Sequence, residues 1–373
     1  MADIIQNNSH QTEDTDEENY RDDSKPAHGP NDILPACPPQ IKSSKKIVLH
    51  VDLNNTILVS DAVRCQGTVA ALDYFLTTVT WGQMRKGKWE WLSDSPSLHP
   101  PCDNAISYYS QFGATPCFTS TAGRRFRGIL EEHLQQLRWP EGVKGDRELT
   151  IKAEDGRLYH WILPSFFQLL KDLTLQGTEF AIHFRTFGCD LPRVLSAVSK
   201  ALTQGAHPLF PDLPDLKLSV NNTPGKIRCN QKGVLLTRGA ERLSTRDGER
   251  GLYQFFSSAN GVGGFQDDYQ WWMMKNFSIQ GGKPLWVDPF DQHVHHIFID
   301  DNIRQNDKDT VVHPKVFIDP EGSDTRTACI SELYDIALIQ TDLLKAISEP
   351  NYFTRCVSVC QKNYEKNIQH GSG

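Results

Sequence analysis

The chain has 373 residues, of which 38% are hydrophobic and 23% are charged, and its formal net charge is −7. This length and apolar content are enough for a sizeable core, built as one domain with large insertions or as two domains. The charge balance provides no basic face for nucleic acid or an anionic membrane, so we expect neither as a partner. No apolar run approaches the roughly 20 residues of a membrane-spanning helix.

Residues 1–44 are predicted to form a disordered acidic tail. The first 31 residues hold eight acidic side chains against Arg21 and Lys25, with few aromatic or branched apolar residues. The segment lacks the apolar core of a secretory signal, and its acidity is unlike that of an organelle transit peptide. The nine cysteines of the chain show no paired zinc spacing and are expected to be reduced thiols. We therefore expect a cytoplasmic protein.

After this tail, apolar runs alternate with helical patterns. Helical periodicity is present at 165–175 and 190–202, and an amphipathic helix is predicted over 327–347. Apolar runs of the length of buried strands are found at 46–51, 180–185, 295–299 and 315–318. Strands that alternate with helices indicate βαβ units. The predicted fold class is therefore α/β, a three-layer sandwich whose central sheet is parallel and holds all four runs.

Two long segments interrupt this alternation and are interpreted as insertions over the carboxyl edge of the sheet. Residues 62–160 form a predicted cap, with a helical pattern from Val69 to Leu76, a Trp-rich and Pro-rich stretch, a helix near 123–138 and a hairpin at 149–161. Residues 204–262 form a smaller second insertion with a hairpin at 226–237. The core then comprises residues 45–61, 161–203 and 263–349, and residues 350–373 are predicted to be a loose tail.

The glycine-rich stretch Gly261-Val262-Gly263-Gly264 is the sequence feature closest to a nucleotide-binding loop. It lacks the strand-to-helix context and the spacing of a dinucleotide-binding loop. We interpret it as a flexible turn before a helix at 266–277.

Three of the apolar runs are followed by polar residues suited to phosphate or metal chemistry. The first run leads into Asp52, with Asn54 and Thr56 two and four residues later. The second ends at Thr186, and the third ends in Asp300-Asp301. Because open α/β sheets bind ligands outside the carboxyl ends of their strands, we expect these side chains to share one site.

This series resembles the motifs of the haloacid dehalogenase superfamily. Asp52-x-Asn54-x-Thr56 is similar to motif I, which reads Asp-x-Asp-x-Thr in the phosphatase members; Thr186 matches motif II, and Asp300-Asp301 match motif IV. The resemblance covers the core elements, leaves both insertions outside it, and implies a Rossmannoid core of the haloacid dehalogenase kind.

The resemblance also implies residue roles. Asp52 would attack phosphorus and form an aspartyl phosphate. Asp52, the backbone carbonyl of Asn54, and Asp300 or Asp301 would hold Mg²⁺, a hard cation that prefers oxygen ligands. Thr186 would donate a hydrogen bond to a phosphoryl oxygen.

The motif III lysine and the substrate contacts rest on position alone. Lys283, in the turn Gly281-Gly282-Lys283-Pro284, is the favoured motif III lysine, and Lys275 is the alternative. Thr56, Arg185 and Arg304 flank the predicted site and are expected to contact an anionic substrate.

Asn54 is the departure from the phosphatase pattern. In the phosphatase members the equivalent carboxyl protonates the leaving group and then activates water. An amide cannot titrate, and such acid–base catalysis typically contributes a factor of about 10²–10⁴. The first hypothesis is a Mg²⁺-dependent phosphatase or phosphotransferase that acts on a small phosphorylated metabolite, restricted to leaving groups that need no proton or assisted by another acid. The alternative is a catalytically inactive relative that binds phosphate or a partner.

Overall fold

The computed structural model describes residues 45–60, 66–305 and 310–371, so the predicted acidic tail at 1–44 lies outside the described residues. The strands are β1 Lys46–Val51, β2 Trp81–Arg85, β3 Lys88–Trp91, β4 Ile106–Ser107, β5 Thr150–Lys152, β6 Leu158–His160, β7 Phe180–Thr186, β8 Gly225–Asn230, β9 Gly233–Arg238, β10 Glu241–Ser244, β11 Gly261–Gln266, β12 Lys283–Val287, β13 Val294–Asp300, β14 Val312–Phe317, β15 Thr325–Thr327 and β16 Leu338–Gln340. The α-helices are α1 Thr68–Val79, α2 Tyr108–Phe112, α3 Arg127–Leu137, α4 Pro164–Leu175, α5 Leu191–Gln204, α6 Glu249–Ser258, α7 Tyr269–Met274, α8 Ile330–Leu333, α9 Leu343–Ser348 and α10 Tyr352–Gly371. Short 3₁₀ turns lie at Phe118–Ser120, Arg124–Phe126, Leu213–Leu216, Thr245–Asp247 and Ile279–Gly281.

An eight-stranded sheet with the order β10-β9-β8-β11-β7-β1-β13-β16 forms the centre of the fold. The six strands β8, β11, β7, β1, β13 and β16 pair in parallel, each with the next in this order. At the other edge, β9 pairs antiparallel with both β8 and β10. The predicted α/β class with a mostly parallel central sheet is therefore confirmed, and the arrangement is compatible with a three-layer sandwich.

Apolar side chains cover both faces of this sheet. Along β13, Ile297 and Ile299 pack into one hydrophobic cluster and Phe298 packs into another, because successive strand residues point to opposite faces. The first cluster also contains residues of the predicted cap, among them Phe118 and Phe126. Burial on both sides explains why the central strands read as continuous apolar runs in the sequence.

The three runs that precede the predicted site residues are neighbouring strands. Val51 of β1 pairs with Phe184 of β7 on one side and with Ile299 of β13 on the other. The residues that follow these strands consequently emerge side by side at one edge of the sheet. The predicted helices at 165–175 and 190–202 and the hairpins at 149–161 and 226–237 are also present.

The fourth run was assigned to the wrong sheet. It forms β14, which pairs in parallel with β12 and antiparallel with β15 in a separate three-stranded sheet. An apolar run shows that a strand is buried but does not identify its partner.

The glycine-rich stretch is a central strand and not a turn. β11 lies between β7 and β8, so part of the segment assigned to a second insertion extends the central sheet. A Cβ on Gly264 would lie 2.4 Å from Cδ1 of Leu191 and 3.0 Å from Cβ of Phe184. Glycine is required at residue 264 because helix α5 packs directly against this strand.

The carboxyl-terminal part also differs from the prediction. The helix expected over 327–347 is divided into α8, β16 and α9, with Asp335 in the left-handed conformation (φ 56°) between α8 and β16. The expected loose tail is the helix α10, which buries Phe353, Val357 and Cys360 on one face. None of the helices in the described ranges is both long and apolar enough to cross a membrane.

Candidate active site

The loop after β1 holds Asp52 in a fixed position. The backbone N–H of Asp52 donates to Ile299 O at 2.9 Å, and Leu53 O accepts from the N–H groups of Ile57 and Leu58 at 3.0 and 2.8 Å. This tight turn leaves Asp52 only 7% exposed at the carboxyl end of the sheet. The position is the one at which parallel α/β sheets present ligand-binding groups.

Lys283 is the cation next to Asp52. Its Nζ donates to Oδ1 of Asp52 at 2.6 Å and to Oδ2 of Asp300 at 2.7 Å, and also to the backbone carbonyl of Arg185 at 3.1 Å. Lys283 is the first residue of β12 and is 2% exposed, so the expected turn is a strand end. The alternative, Lys275, places its ammonium 4.6 Å from the ring centroid of Trp271.

Three carboxyl groups converge beside this lysine. Oxygen atoms of Asp52, Asp300 and Asp301 all lie within 4.8 Å of one another. Burial raises the pKa of Asp52 to about 7, although the charge of Lys283 acts in the opposite direction. Burial and the charges of Asp300 and Asp52 raise the pKa of Asp301 well above its usual value.

This group of charges suits a divalent cation. The Lys283 ammonium forms ion pairs with Asp52 and Asp300, and the charge of Arg304 acts on Asp301, so full ionisation leaves the cluster with an excess of one negative charge. Carboxylate oxygens are the ligands that Mg²⁺ and Ca²⁺ prefer. The predicted metal ligands Asp52, Asp300 and Asp301 are thus brought together with a charge that a divalent ion would neutralise.

Thr186 presents a hydroxyl at the end of β7. Its Oγ1 accepts a hydrogen bond from Gly188 N at 2.9 Å, which leaves the hydroxyl proton free to be donated. A Cβ at residue 188 would lie 3.4 Å from both Thr186 Oγ1 and Asn54 Oδ1. Gly188 therefore keeps open the space between these two polar side chains.

Asn54 has a carboxylate neighbour that the sequence did not indicate. Its Nδ2 donates to Ser60 O at 3.0 Å and to Oδ2 of Asp190 at 3.3 Å. Asp190 occupies the N-cap position of α5 but makes no side-chain capping bond there. Its carboxylate is directed to Asn54 instead.

Arg185 is not in a position to contact substrate. It is fully buried, and its Nε and Nη2 donate to Asp267 at 2.9 and 2.7 Å. Nη1 lies 3.1 Å from Nδ1 of His50. Since neighbouring residues of a strand point to opposite faces, Arg185 lies on the face of the sheet opposite Thr186.

Thr56 and Arg304 organise loops, which differs from their expected contact with substrate. Thr56 is fully buried, and its Oγ1 accepts from Asp301 N at 3.2 Å and lies 3.5 Å from Oδ2 of Asp52. Arg304 donates to Asp301 O at 2.6 Å and to Oδ1 of Asn302 at 3.1 Å. Both residues hold the loops after β1 and β13 in place around the acidic cluster.

Sequence reasoning missed three residues next to the site. Asp190 begins the helical pattern at 190–202 and is not among the predicted site residues, and Asp267, the partner of Arg185, follows β11, whose glycines predict a turn. Phe187 comes directly after Thr186, and its ring centroid is 5.0 Å from Nζ of Lys283. The signal available for Asp190 and Phe187 is that both follow the apolar run at 180–185, whereas Asp267 follows a strand that reads as a turn in the sequence.

The site therefore combines a buried carboxylate, a buried ammonium, two further acids and a free hydroxyl at one sheet edge. Comparison of the chain with protein-family models, with curated proteins and with solved structures finds no match. The assignment of a function rests on the geometry of these residues and on the resemblance of their motifs.

Proposed function

We propose that the protein is a Mg²⁺-dependent phosphatase or phosphotransferase of the haloacid dehalogenase kind, which acts on a small phosphorylated metabolite through an aspartyl phosphate on Asp52. The observation that carries the proposal is the contact of 2.6 Å between Asp52 and Lys283, with Asp300 and Asp301 beside them at the ends of parallel strands. Phosphoryl transfer to a carboxylate needs this combination of a nucleophile, a fixed cation and ligands for a divalent ion.

Mg²⁺ would be held by carboxylate oxygens of Asp52 and of Asp300 or Asp301, together with the backbone carbonyl of Asn54. When bound, the ion supplies positive charge that lowers the repulsion between the carboxylates and a phosphate dianion. Mg²⁺ is a hard cation, and hard cations prefer the oxygen ligands that these residues offer.

The residues of the chain account for the other tasks. Asp52 is buried, and its carboxylate is a nucleophile only when ionised. Burial raises its pKa to about 7, and a bound Mg²⁺ would favour the ionised form. Lys283 is fixed by Asp300 and compensates the charge of the attacking carboxylate. The hydroxyl of Thr186 donates to an equatorial phosphoryl oxygen.

Asn54 favours a second candidate function, which is phosphate binding without turnover. Its amide carries no titratable proton, and both of its hydrogens have acceptors in Ser60 and Asp190. A leaving group that needs protonation receives none from this residue. Turnover is therefore expected first with substrates whose leaving group is already stable as an anion.

The test is hydrolysis of acetyl phosphate and p-nitrophenyl phosphate by the purified full-length chain, with Mg²⁺ and after its removal by chelation. Both leaving groups are stable anions, so we expect Mg²⁺-dependent release of phosphate. Asp52→Asn removes the nucleophile and is expected to lower the rate by at least about 10³-fold, as loss of a nucleophile does elsewhere.

Asp94→Asn is the matched control, because the Asp94 side chain is 84% exposed and pairs only with Arg125 among the described residues. Its rate should equal that of the wild type. Equal rates for the wild type and Asp52→Asn on both substrates would exclude turnover through Asp52. Phosphate binding by the wild type, measured by calorimetry, would then support the second candidate.

A further inference from the structure

A set of aromatic rings begins beside Lys283 and extends to the surface of the protein. We call Phe187, Tyr269, Trp272 and Phe277 the aromatic surface. Phe187 stacks on Trp272 with ring centroids 5.3 Å apart and meets Tyr269 edge-on at 5.6 Å. Trp272 contacts Phe277 at 4.9 Å. These contacts make the aromatic surface one continuous apolar wall.

The wall is continuous with the candidate active site. The Phe187 ring lies 5.0 Å from Nζ of Lys283, which is itself 2.6 Å from Asp52. The strand ends that carry the wall are tied together, because Gln266 donates to the backbone carbonyl of Gly188 at 3.1 Å. A group attached to a phosphate at Asp52 would therefore have aromatic rings within reach.

The outer part of the wall is exposed. Tyr269 is 41% and Phe277 is 38% exposed, and Met273 and Met274 beside them are also exposed. Contiguous exposed apolar side chains commonly mark a binding site. Phe277 also has a positive φ of 57°, directly after Asn276 at 53°. Asparagine commonly ends a helix in this way, but a bulky residue in this conformation is strained, and such strain clusters at binding and active sites.

Asn54 provides an independent argument about what this wall contacts. Since Asn54 cannot protonate a leaving group, the leaving oxygen must be stable as an anion. A phenol such as the tyrosine side chain has a pKa of about 10, far below the value of about 15.7 for water. Phenolates therefore leave without an acid much more readily than alkoxides, and a phenol ring is also what an aromatic wall binds by stacking.

The geometry points to an aryl phosphate monoester as the substrate, with its ring on the aromatic surface and its phosphate at Asp52. This inference rests on the proposed function and narrows it. The Asp52 carboxylate forms a bond to phosphorus while the bond from phosphorus to the aryl oxygen breaks, and the electron pair stays on the phenolate, which takes a proton from solvent. Water then attacks phosphorus, the bond to Asp52 breaks with its electron pair returning to the carboxylate, and the proton of water passes to phosphate or solvent.

The experiment compares kcat/KM for phenyl phosphate, phosphotyrosine and a short phosphotyrosyl peptide with kcat/KM for glycerol phosphate and phosphoserine, using the full chain and Mg²⁺. Acetyl phosphate is the reference substrate, since it has a good leaving group and no ring. We expect the aryl esters to exceed the alkyl esters by at least about tenfold, because no acid assists the alkoxide. A preference for the free esters or for the peptide would identify the source of the aryl group, and either result supports the inference.

Substitutions test the role of the rings. Tyr269→Ser combined with Phe277→Ser is expected to lower the ratio of aryl to acetyl phosphate turnover by about tenfold, mainly through KM, as expected for the loss of stacking contacts. Tyr269→Phe keeps a ring and should keep the ratio. Tyr269→Leu, which keeps apolar volume without the ring, replaces the serine variant if thermal unfolding shows that the latter does not fold. Leu175→Ser, at the exposed end of α4, is the surface control.

The failures are distinguishable. If acetyl phosphate is not hydrolysed, the proposed function itself is wrong. If acetyl phosphate is hydrolysed but aryl esters are no better than alkyl esters, or the ring variants leave the ratio unchanged, the aryl substrate is wrong and the proposed function stands.

Discussion

At the residue scale, the pair formed by Asn54 and Asp190 decides which proton transfers the site offers. The Asn54 amide donates to Asp190 at 3.3 Å, so a neutral donor faces a carboxylate. A carboxyl group at residue 54 would face Asp190 at the same distance. Two carboxyl groups this close repel each other when both are ionised, so the pKa of one of them is raised.

We therefore expect Asn54→Asp alone to gain little activity, because one proton would be held in a hydrogen bond between the two carboxyl groups and would not be available to a leaving group. The double variant Asn54→Asp with Asp190→Asn restores an acid at residue 54 and an amide beside it. Glycerol phosphate turnover by the double variant should exceed that of the wild type by at least about tenfold, toward the 10²–10⁴ typical of acid–base catalysis.

The gain should be larger for glycerol phosphate than for phenyl phosphate, because the phenolate needs the proton less. Asp190→Asn alone is the control for the change at residue 190. A double variant no faster than the wild type on the alkyl ester would mean that the missing acid does not limit the rate.

At the element scale, strand β12 connects the small sheet with the edge of the central sheet that holds the candidate active site. Its first residue, Lys283, forms ion pairs with residues that follow β1 and end β13, at 2.6 and 2.7 Å. All three side chains are buried, so each depends on the others for its charge balance. Removing one member of a buried ion pair typically costs about 3–5 kcal/mol.

Lys283→Met should lower the free energy of unfolding at pH 8 by about this amount and abolish the proposed phosphatase activity. Lys275→Met is a matched control, since the Lys275 ammonium lies 4.6 Å from the Trp271 ring centroid, outside the acidic cluster, and a cation–π contact is worth about 0.5–1 kcal/mol. Adding Asp300→Asn to Lys283→Met should restore part of the stability, as it removes an unpaired buried carboxylate. Equal urea midpoints for the lysine variants at residues 283 and 275 would contradict this account.

The strands of the central sheet differ in how far the sequence predicts them. Strands β1, β7 and β13 were predictable because burial on both faces demands an unbroken apolar run, and their polar ends located Asp52, Thr186 and Asp300. Strand β11 was not, since the close approach of α5 requires glycine, which reads as a turn. Which of two sheets an apolar strand joins is decided by tertiary packing and not by its own residues.

Side-chain direction was the other limit. Arg185 and Thr186 are adjacent in the sequence, and only the pleat of the strand decides which of them faces the site. The pairing of Asn54 with Asp190 joins two loops separated by 136 positions. Such contacts depend on the relative position of β1 and α5, about which local sequence carries no information.

At the scale of the whole molecule, an unusual number of neutral histidines is buried. Burial lowers the pKa of His160, His295 and His313 to about 4 and that of His183, His207 and His296 to about 3. In the unfolded chain these rings titrate near 6.5. Between these values the unfolded state binds more protons than the native state, so stability is lost as the pH falls.

Asp52 acts in the opposite direction but cannot compensate. Its raised pKa means that the native state keeps a proton that the unfolded state has lost, so its contribution to stability decreases as the pH rises from about 4 to about 7. That contribution is on the order of 4 kcal/mol, and each histidine contributes on the order of 3–5 kcal/mol with the opposite sign. Asp301, whose pKa is also raised, acts in the same direction as Asp52, but the six histidines outnumber these two carboxyl groups, so the net effect is a loss of stability as the pH falls.

We therefore predict that the protein is most stable near pH 7–8 and unfolds cooperatively between about pH 6 and pH 4 without denaturant. The measurement is the unfolding temperature, followed by circular dichroism at pH values across this range. His183→Leu removes a buried ring whose pKa burial lowers, so the unfolding temperature of the variant relative to the wild type should improve as the pH falls from 7 to 5. His99→Gln, at an exposed ring, should leave the pH dependence unchanged, because only buried rings are neutral by necessity. A protein that keeps its unfolding temperature down to pH 4 would show that these rings gain protons without opening the core, which the packing of His183 against Phe256 at 5.0 Å argues against.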